Sequence, residues 1–296
     1  MDRQSDRRRE AKQVNRKEAI LNQVRSIPAI PSTASQVLQV INNPDFEMDE
    51  LIQLIEYDQV ATANILRLAN SAYFGRGVPV DSIREAVVRM GAQKIGQLTM
   101  VASVGPFATR PLRGYDLSPG ELWRHSVAVA VASDLLAGEL DLHAPSYVFT
   151  AGLLHDLGKI VLDVFVNADA EVIKSLVYQE HVTFEMAERQ ILGIDHCEVG
   201  CELLSVWNVP EHVFSAIRWH HSPDKAPETS MACDLIHLAD HIAITSDIGA
   251  GLDGATYTVS SNAMKRLKAD DATISTVKNQ LQTKLKAIEE LFALTR

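Results

Sequence analysis

The sequence predicts an all-α protein built as a two-lobed helical bundle. Apolar residues recur at helical spacing along nearly the whole chain, and no stretch alternates apolar and polar residues long enough to predict a sheet. A segment rich in prolines and turn formers, GPFATRPLRGYDLSPG at residues 105–120, separates short helices before it from longer helices after it. The division between the two lobes is therefore expected within this segment.

The chain is expected to consist of four segments. They are a basic N-terminal leader or helix (1–22), a first helical lobe (23–115), a second helical lobe (116–246), and a Gly-rich loop with a C-terminal amphipathic helix (247–296). The leader, MDRQSDRRREAKQVNRK at its start, is interpreted as solvated, with a docking arm for an acidic partner as the alternative. The last helix carries an apolar stripe that is expected to pack against the rest of the chain, formed by Val277, Leu281, Leu285 and Ile288.

Residues able to cap helices mark where individual elements begin. Asp58 can cap the helix that contains ATANILRLAN, and Asp81 or Ser82 can cap IREAVVRM, because their side-chain oxygens accept free amide protons of the first turn. Ser118, Pro119 and Glu121 predict a capping box with proline at the first helical position. The first lobe should therefore contain five or six short helices, and the second should open near residue 119.

Composition and charge exclude several classes of protein. The net charge of −10 argues against a surface built mainly for nucleic acid or anionic membranes. No run approaches the roughly 18 apolar residues that a spanning helix needs, and the charged N-terminus does not resemble a signal peptide. Three cysteines argue against a disulfide framework. A cytoplasmic protein that binds neither membrane nor nucleic acid is the expectation.

Ten histidines are present, and none of them precedes residue 125. His155 and Asp156 interrupt the apolar run GLLHDLGKIV, where a buried aspartate needs a partner. Taken alone, this pair is more often a solvated helix end, because Gly158 follows closely. Further histidines and an aspartate interrupt apolar helices elsewhere in the second lobe, and this larger set changes the interpretation.

Histidine and carboxylate ligands from several helices can build a two-cation site in a bundle. Mixed nitrogen and oxygen ligands favour iron or manganese, with nickel or zinc as further possibilities, over calcium or magnesium. We expect Asp156 to bridge the two ions with its two oxygens. The first ion would bind His125, His155, Asp156 and Asp240. The second would bind Asp156, His196, His220 and, as a further candidate, His221.

Other polar residues near these positions have competing interpretations. Lys159 would lie beside the metals and suits a phosphate oxygen, although a surface lysine is the commoner fate. Asp156 and Lys159 are therefore the candidate catalytic residues. Glu121 could be an outer ligand, but its capping role is favoured. His237 and His241 are expected on a polar face or behind the ligands.

The ligand pattern His125…His155–Asp156…Asp240 resembles the HD superfamily of metal-dependent phosphohydrolases. Within residues 23–225, DQVATANILRLANSAYFG and SIREAVVRMGAQKIGQLTM resemble the N-terminal half of an HDOD domain, the HD-related output domain of bacterial signalling. The resemblance implies an HD-like helical core in the second lobe. His196 and His220–His221 resemble the longer ligand set of the HD-GYP branch, but SPDKAPETS follows them without a glycine-tyrosine-proline motif.

Two functions follow from this resemblance. The first is a regulatory output module that contacts an unidentified signalling partner and keeps a two-metal site. The second is a metal-dependent phosphohydrolase acting on a phosphoester or nucleotide, with two cations and Lys159 holding the phosphate. HDOD proteins often lack the ligands present here, whereas the missing motif argues against cyclic-di-GMP as substrate. Whether the chain is an enzyme stays open at this point.

Overall fold

The computed structural model describes residues 3–71, 73–75 and 77–294, with side chains described between residues 13 and 284 except at 72, 76 and 255. Within these ranges the chain is α-helical and contains no β-strand, only one isolated bridge between Leu112 and Leu117. The predicted all-α class is therefore confirmed. The basic leader lies in the first helix, but the side chains of residues 1–12, and with them the suggested docking arm, fall outside the described part.

Six helices form the N-terminal part of the chain. They are α1 (Arg3–Ser26), α2 (Ser32–Ile41), α3 (Met48–Glu56), α4 (Gln59–Ala69), α5 (Ile83–Met90) and α6 (Ala92–Ala108). Asp58 accepts the amide protons of Val60 and Ala61 at 3.0 Å, and Ser82 accepts that of Glu85 at 3.1 Å. The cap at Asp58 is confirmed, and of the two candidates before α5, Asp81 and Ser82, it is Ser82 that caps the helix.

Ten helices follow. They are α7 (Glu121–Glu139), α8 (Val148–Leu154), α9 (Gly158–Ala168), α10 (Ala170–Gln179), α11 (Phe184–Leu192), α12 (His196–Val206), α13 (Glu211–Arg218), α14 (Met231–Thr245), α15 (Ser261–Leu267) and α16 (Asp271–Leu294). Short 3-10 turns occur at Arg113–Tyr115, Pro223–Lys225 and Asp253–Thr256. Since α6 continues to residue 108, a helix extends into the segment expected to separate the lobes, and the four-part division remains a prediction.

The start of α7 differs from the predicted capping box. Gly120 adopts a left-handed conformation (φ 85°) directly before the helix, so Pro119 lies outside it and Ser118 provides no side-chain cap. Only half of the box forms, since the Glu121 carboxylate accepts the backbone N–H of Ser118 at 2.5 Å. The left-handed turn, which glycine adopts without steric cost, moves the helix start two residues later.

Helix α7 forms the centre of the second lobe and packs against α8, α14 and α16. Its residues Ser126–Ser133 are all buried, which is typical of a helix covered on every side. Val277 and Leu281 of the predicted C-terminal stripe are completely buried. The side chains of Leu285 and Ile288 lie outside the described residues, so the stripe is established for its first half.

The two lobes share one continuous hydrophobic core. Phe107 at the end of α6 packs on Trp207 at the end of α12, with ring centroids 5.3 Å apart, and the Trp207 indole N–H donates to the carbonyl of Pro28. None of the described helices is long and apolar enough to cross a bilayer.

Candidate metal centre

Six of the seven predicted ligand residues lie buried in one cluster between helices of the second lobe. His155, His196 and His220 are fully buried, and His125, Asp156 and Asp240 are at most 3% exposed. His221 is partly exposed at the edge of the cluster. The ligands come from α7, the turn after α8, the start of α12, the end of α13 and α14, so five separate pieces of chain converge.

One face of the cluster surrounds the Oδ2 atom of Asp156. The Nε2 atoms of His155 and His125 lie 3.3 and 3.6 Å from it. The Nε2 atom of His125 also lies 3.0 Å from Oδ1 of Asp240, and that of His155 lies 3.9 Å from the same oxygen. These four residues are those expected from the sequence around a first ion.

The opposite face surrounds the Oδ1 atom of Asp156. The Nε2 atoms of His196 and His220 lie 3.6 and 3.9 Å from this oxygen. The Nε2 atoms of His196 and His221 lie 2.8 Å apart, so two ring nitrogens point at each other. Asp156 therefore presents one oxygen to each half of the cluster.

Hydrogen bonds made by Nδ1, the ring nitrogen that faces away from the cluster, fix the orientation of four of the histidine rings. The Nδ1 atoms of His125, His155 and His220 lie 2.9, 2.7 and 2.7 Å from backbone carbonyl oxygens. That of His196 lies 2.7 Å from the Glu188 carboxylate. Since carbonyls and carboxylates only accept, Nδ1 donates in each bond, and Nε2 is the ring nitrogen that faces the cluster, with a lone pair wherever the ring is neutral.

Several atoms that face the cluster have no hydrogen-bond partner. They are Nε2 of His155, Nε2 of His220, Oδ1 of Asp156 and Oδ1 of Asp240. The 3.0 Å approach of His125 to Asp240 Oδ1 lacks hydrogen-bond geometry. Buried acceptors without a partner are costly, and a divalent cation bound between them removes that cost. The donor set and its orientation fit such an ion.

The cluster also carries an excess of negative charge. Four buried carboxylates, those of Asp156, Asp240, Asp253 and Glu188, accompany one buried ammonium, that of Lys159. Buried charges of one sign are strongly destabilising unless cations or protons compensate them. The arrangement therefore favours positively charged ions at its centre.

The electrostatics keep two of the rings neutral. Burial, together with the nearby ring of His155, lowers the pKa of His220 to about 3. Burial and the neighbouring histidines also lower the pKa of His221 well below its usual value. Neutral imidazole is the form that binds a metal, so both rings are prepared for that role at neutral pH.

His196 behaves differently from these two rings. Burial alone would lower its pKa, but the adjoining Glu188 carboxylate raises the pKa well above the usual value. Burial alone would likewise raise the pKa of Asp156, but the neighbouring His155 ring and Lys159 ammonium lower it well below its usual value. Without metal, His196 therefore carries a proton at neutral pH and Asp156 is ionised.

Small residues let the helices approach closely enough to bring these ligands together. A Cβ atom built on Gly158 would lie 1.9 Å from the carbonyl oxygen of His196, where α9 crosses α12. A Cβ on Gly152 would lie 3.0 Å from the Cα of Ala130, where α8 crosses α7. The GLLHDLGK segment thus positions His155 and Asp156 through the glycines that flank them.

Lys159 is buried rather than exposed at the surface. Its Nζ atom lies 2.5 Å from Asp156 Oδ2 and also donates to Asp253 Oδ2. Neither Asp253 nor Glu188 was identified from the sequence. Glu188 resembles an ordinary acidic residue of an amphipathic helix, and Asp253 lies in a Gly-rich segment, so only the fold reveals their contacts.

Of the remaining polar residues, Cys197 has its sulfur within 4.8 Å of ligand atoms of the cluster, and the others lie behind or away from it. His237 is buried, with Nδ1 2.7 Å from the carbonyl oxygen of His220, so it supports the ligand turn from behind. Glu121 caps α7, as favoured from the sequence. Cys197 is a buried thiol 3.7 Å from Nδ1 of His220. Histidines 143, 181 and 212 are exposed, as expected.

The centre is nearly closed to solvent. A polar pocket of about 20 Å³ leads to it, which is room for on the order of one water molecule. Its lining includes His221, Asp253, Thr256, Tyr257 and Glu185. Of the seven predicted ligand residues, only His221 lines this pocket.

Comparison with known proteins agrees with this geometry. The HDOD domain model matches residues 27–223. An uncharacterised protein of Treponema pallidum is 32% identical over 216 residues, which cover 71% of this chain and 40% of that protein. The chain thus matches less than half the length of that relative.

Two solved structures share the architecture over almost their whole length. An HDOD domain protein of Geobacter sulfurreducens is 26% identical with a TM-score of 0.72, covering 93% of this chain and 98% of that one. A Shewanella amazonensis protein, provisionally named a phosphohydrolase, is 25% identical with a TM-score of 0.69, covering 94% and 98%. The family match over two-thirds of the sequence, together with these likenesses, shows that the chain belongs to the HDOD domain family.

Proposed function

We propose that this protein is a regulatory output module of bacterial signalling, of the HDOD type, built around a two-cation centre. The observation that carries the proposal is the set of buried acceptor atoms without partners, formed by two ring nitrogens and two carboxylate oxygens that face one another. Their supporting hydrogen bonds hold them in the orientation that metal ligands need. Burying acceptor atoms in this arrangement without a bound ion lowers the stability of the fold.

The ligand assignment follows the two oxygens of Asp156. His125, His155 and Asp240 would hold the first ion together with one oxygen, and His196, His220 and His221 would hold the second with the other. Contacts of 2.8–3.9 Å between these atoms support the division. Iron or manganese suits the mixed nitrogen and oxygen set best, with nickel or zinc as alternatives.

A regulatory role is favoured over turnover because the centre is closed. The ligands other than His221 are at most 3% exposed, and the opening beside them holds about one water molecule. A metal bound in such a place stabilises the fold, since metal-binding energy is folding energy where the site forms only in the folded chain. The partner would be a signalling protein, contacted by the first lobe or by the last helix.

A metal-dependent phosphohydrolase is the second candidate. The likeness to the Shewanella protein supports it, as does a buried lysine beside the proposed bridging carboxylate. Two bound cations would supply Lewis-acid chemistry toward a phosphoester or nucleotide. Asp156 would hold both ions, and Lys159 would orient a phosphate oxygen once its present carboxylate partners made room.

Metal analysis and activity assays together distinguish the candidates. The purified protein should contain iron or manganese near two ions per chain, measured by elemental analysis. Phosphomonoesters, phosphodiesters and nucleotides are then assayed with added Mn²⁺ or Fe²⁺. Bound metal without turnover supports the module, and turnover that Asp156→Ala abolishes establishes the hydrolase. Protein that takes up neither ion contradicts both proposals.

A further inference from the structure

The segment of residues 248–257, called the strap here, crosses the mouth of the proposed metal centre. The carbonyl of Ile248 accepts the Nδ1–H of His125 at 2.9 Å, and the N–H of Leu252 donates to the carbonyl of Tyr115 at 3.0 Å. At its far end the hydroxyl of Tyr257 donates to the carbonyl of His237 at 2.9 Å. The strap is therefore attached at one end to the ligand His125 and at the other to His237, which lies behind the ligands.

The middle of the strap inserts a carboxylate next to the buried lysine. Asp253 is 7% exposed, and its Oδ2 accepts a hydrogen bond from Nζ of Lys159. Its other oxygen is buried without a hydrogen-bond partner. Lys159 also donates to Asp156, so only its ammonium group separates the carboxylate of Asp253 from the proposed bridging ligand.

We propose that Asp253 occupies the anion position of the centre and that the strap is an autoinhibitory latch. The inference rests on the two-cation centre of the proposed function and on its second candidate, in which Lys159 faces a phosphate-bearing ligand. A carboxylate and a phosphate both present anionic oxygens to an ammonium group, so they compete for the same position. A ligand that carries a phosphate enters only when Asp253 leaves, and the strap opens as it does so.

Glycines in the strap suit both the closed position and its release. Gly249 and Gly251 have φ of 57° and 54°, a region that glycine adopts without strain. Cβ atoms there would lie 2.6 Å from the carbonyl oxygen of Glu121 and 2.8 Å from that of Tyr115. The strap thus seats closely on the protein, through backbone hydrogen bonds, the Tyr257 hydroxyl, one ion pair and the apolar side chains of Ile248 and Leu252.

The test uses the whole 296-residue chain loaded with Mn²⁺, with inorganic phosphate as the probe. Asp253→Asn removes the charge and keeps the side-chain volume, and Asp247→Asn makes the same change at an exposed residue just before the strap. We expect calorimetry to give at least tenfold tighter phosphate binding for Asp253→Asn than for the wild type, with Asp247→Asn unchanged. Adding Lys159→Met to Asp253→Asn should remove the gain.

A second measurement uses the unmodified protein. Saturating phosphate should accelerate hydrogen exchange of amides in residues 248–257 at least fivefold, with the amides of α7 unchanged. Equal or weaker phosphate binding by folded Asp253→Asn, or unchanged exchange in the strap, would overturn the latch and leave the metal centre standing. The metal content of the wild-type protein is measured before phosphate is added. If the wild-type protein has bound no Mn²⁺, both the proposed function and the latch are overturned.

Discussion

Gly158 lies directly against the main chain of His196, at the crossing of α9 and α12. A Cβ atom on Gly158 would come within 1.9 Å of the His196 carbonyl oxygen and 2.7 Å of the Gly200 nitrogen. Both neighbours are backbone atoms, so no side-chain rotation relieves the contact. Gly158 is two residues after Asp156, and His196 is the first residue of α12. The crossing therefore brings the two halves of the candidate centre together.

Gly158→Ala should therefore destabilise the protein strongly. Forcing a methyl group into backbone contact separates the two helices, at a cost of about 3 kcal/mol or more in the free energy of unfolding. Gly138→Ala is the matched control, since Gly138 is exposed in α7 with nothing within 4 Å of a new Cβ. That change should stabilise by about 0.5–1 kcal/mol through helix propensity. Urea unfolding of both variants measures the difference, and equal stabilities would contradict the tight crossing.

Asp156→Ala should abolish metal uptake and the stability that metal confers. Its two oxygens face both halves of the cluster, so the change removes a ligand from each proposed ion. Wild-type protein should melt at a higher temperature with Mn²⁺ than after chelation, and the variant should show no such shift. Asp141→Asn, at an exposed loop position, is the control. A variant that retains the metal-dependent shift would show that the ions lie elsewhere.

Glu188→Gln should weaken metal binding without unfolding the chain. The amide oxygen can still accept from His196, but the negative charge behind the ring is lost, which lowers the basicity of its Nε2 atom. Loss of such a supporting carboxylate typically reduces metal affinity by about 10–100-fold. Competition with a metal indicator measures the change. Glu180→Gln, an exposed substitution of the same type, should leave affinity unaltered, and the same result for Glu188→Gln would remove its proposed role.

Metal binding should release a proton from His196. The ring is protonated at neutral pH without metal, because Glu188 raises its pKa well above the usual value, and an ion can bind only the deprotonated nitrogen. Affinity should therefore rise with pH, by up to about tenfold per unit below that pKa. Calorimetry at one pH in buffers of different ionisation enthalpy counts the proton released. Binding with no proton release would show that His196 does not donate to the metal.

Much of the helix pattern could be read from the sequence because it depends on local interactions. Asp58 and Ser82 cap the helices expected of them, using side-chain oxygens two or three residues from the amides they bind. The start of α7 differed because Gly120 took a left-handed conformation, which competes with the proline-first helix start. Local signals therefore identify elements well and their ends less well.

The residues of the candidate site also fall into two groups, those recognisable from the local sequence and those recognisable only from contacts in the fold. The histidines and aspartates were found because they interrupt apolar helices or stand at helix ends, and burying a polar side chain is costly unless it has a partner. Glu188 and Asp253 could not be found, since Glu188 lies in an amphipathic helix and Asp253 in a Gly-rich segment, and their partners are 8 and 94 residues away. Lys159 was correctly associated with the cluster, but its two carboxylate partners appear only when the chain is folded.

Asp240 and the strap both lie beyond residue 223, where the family match ends. Helix α14 nonetheless packs along α7 and completes the pocket around His125. A fragment cut at the family boundary would leave α7 uncovered on that side and would lack the oxygen opposite His125. Related proteins whose later segments diverge would therefore inherit the same histidines yet differ in how tightly they retain an ion and in what can approach it.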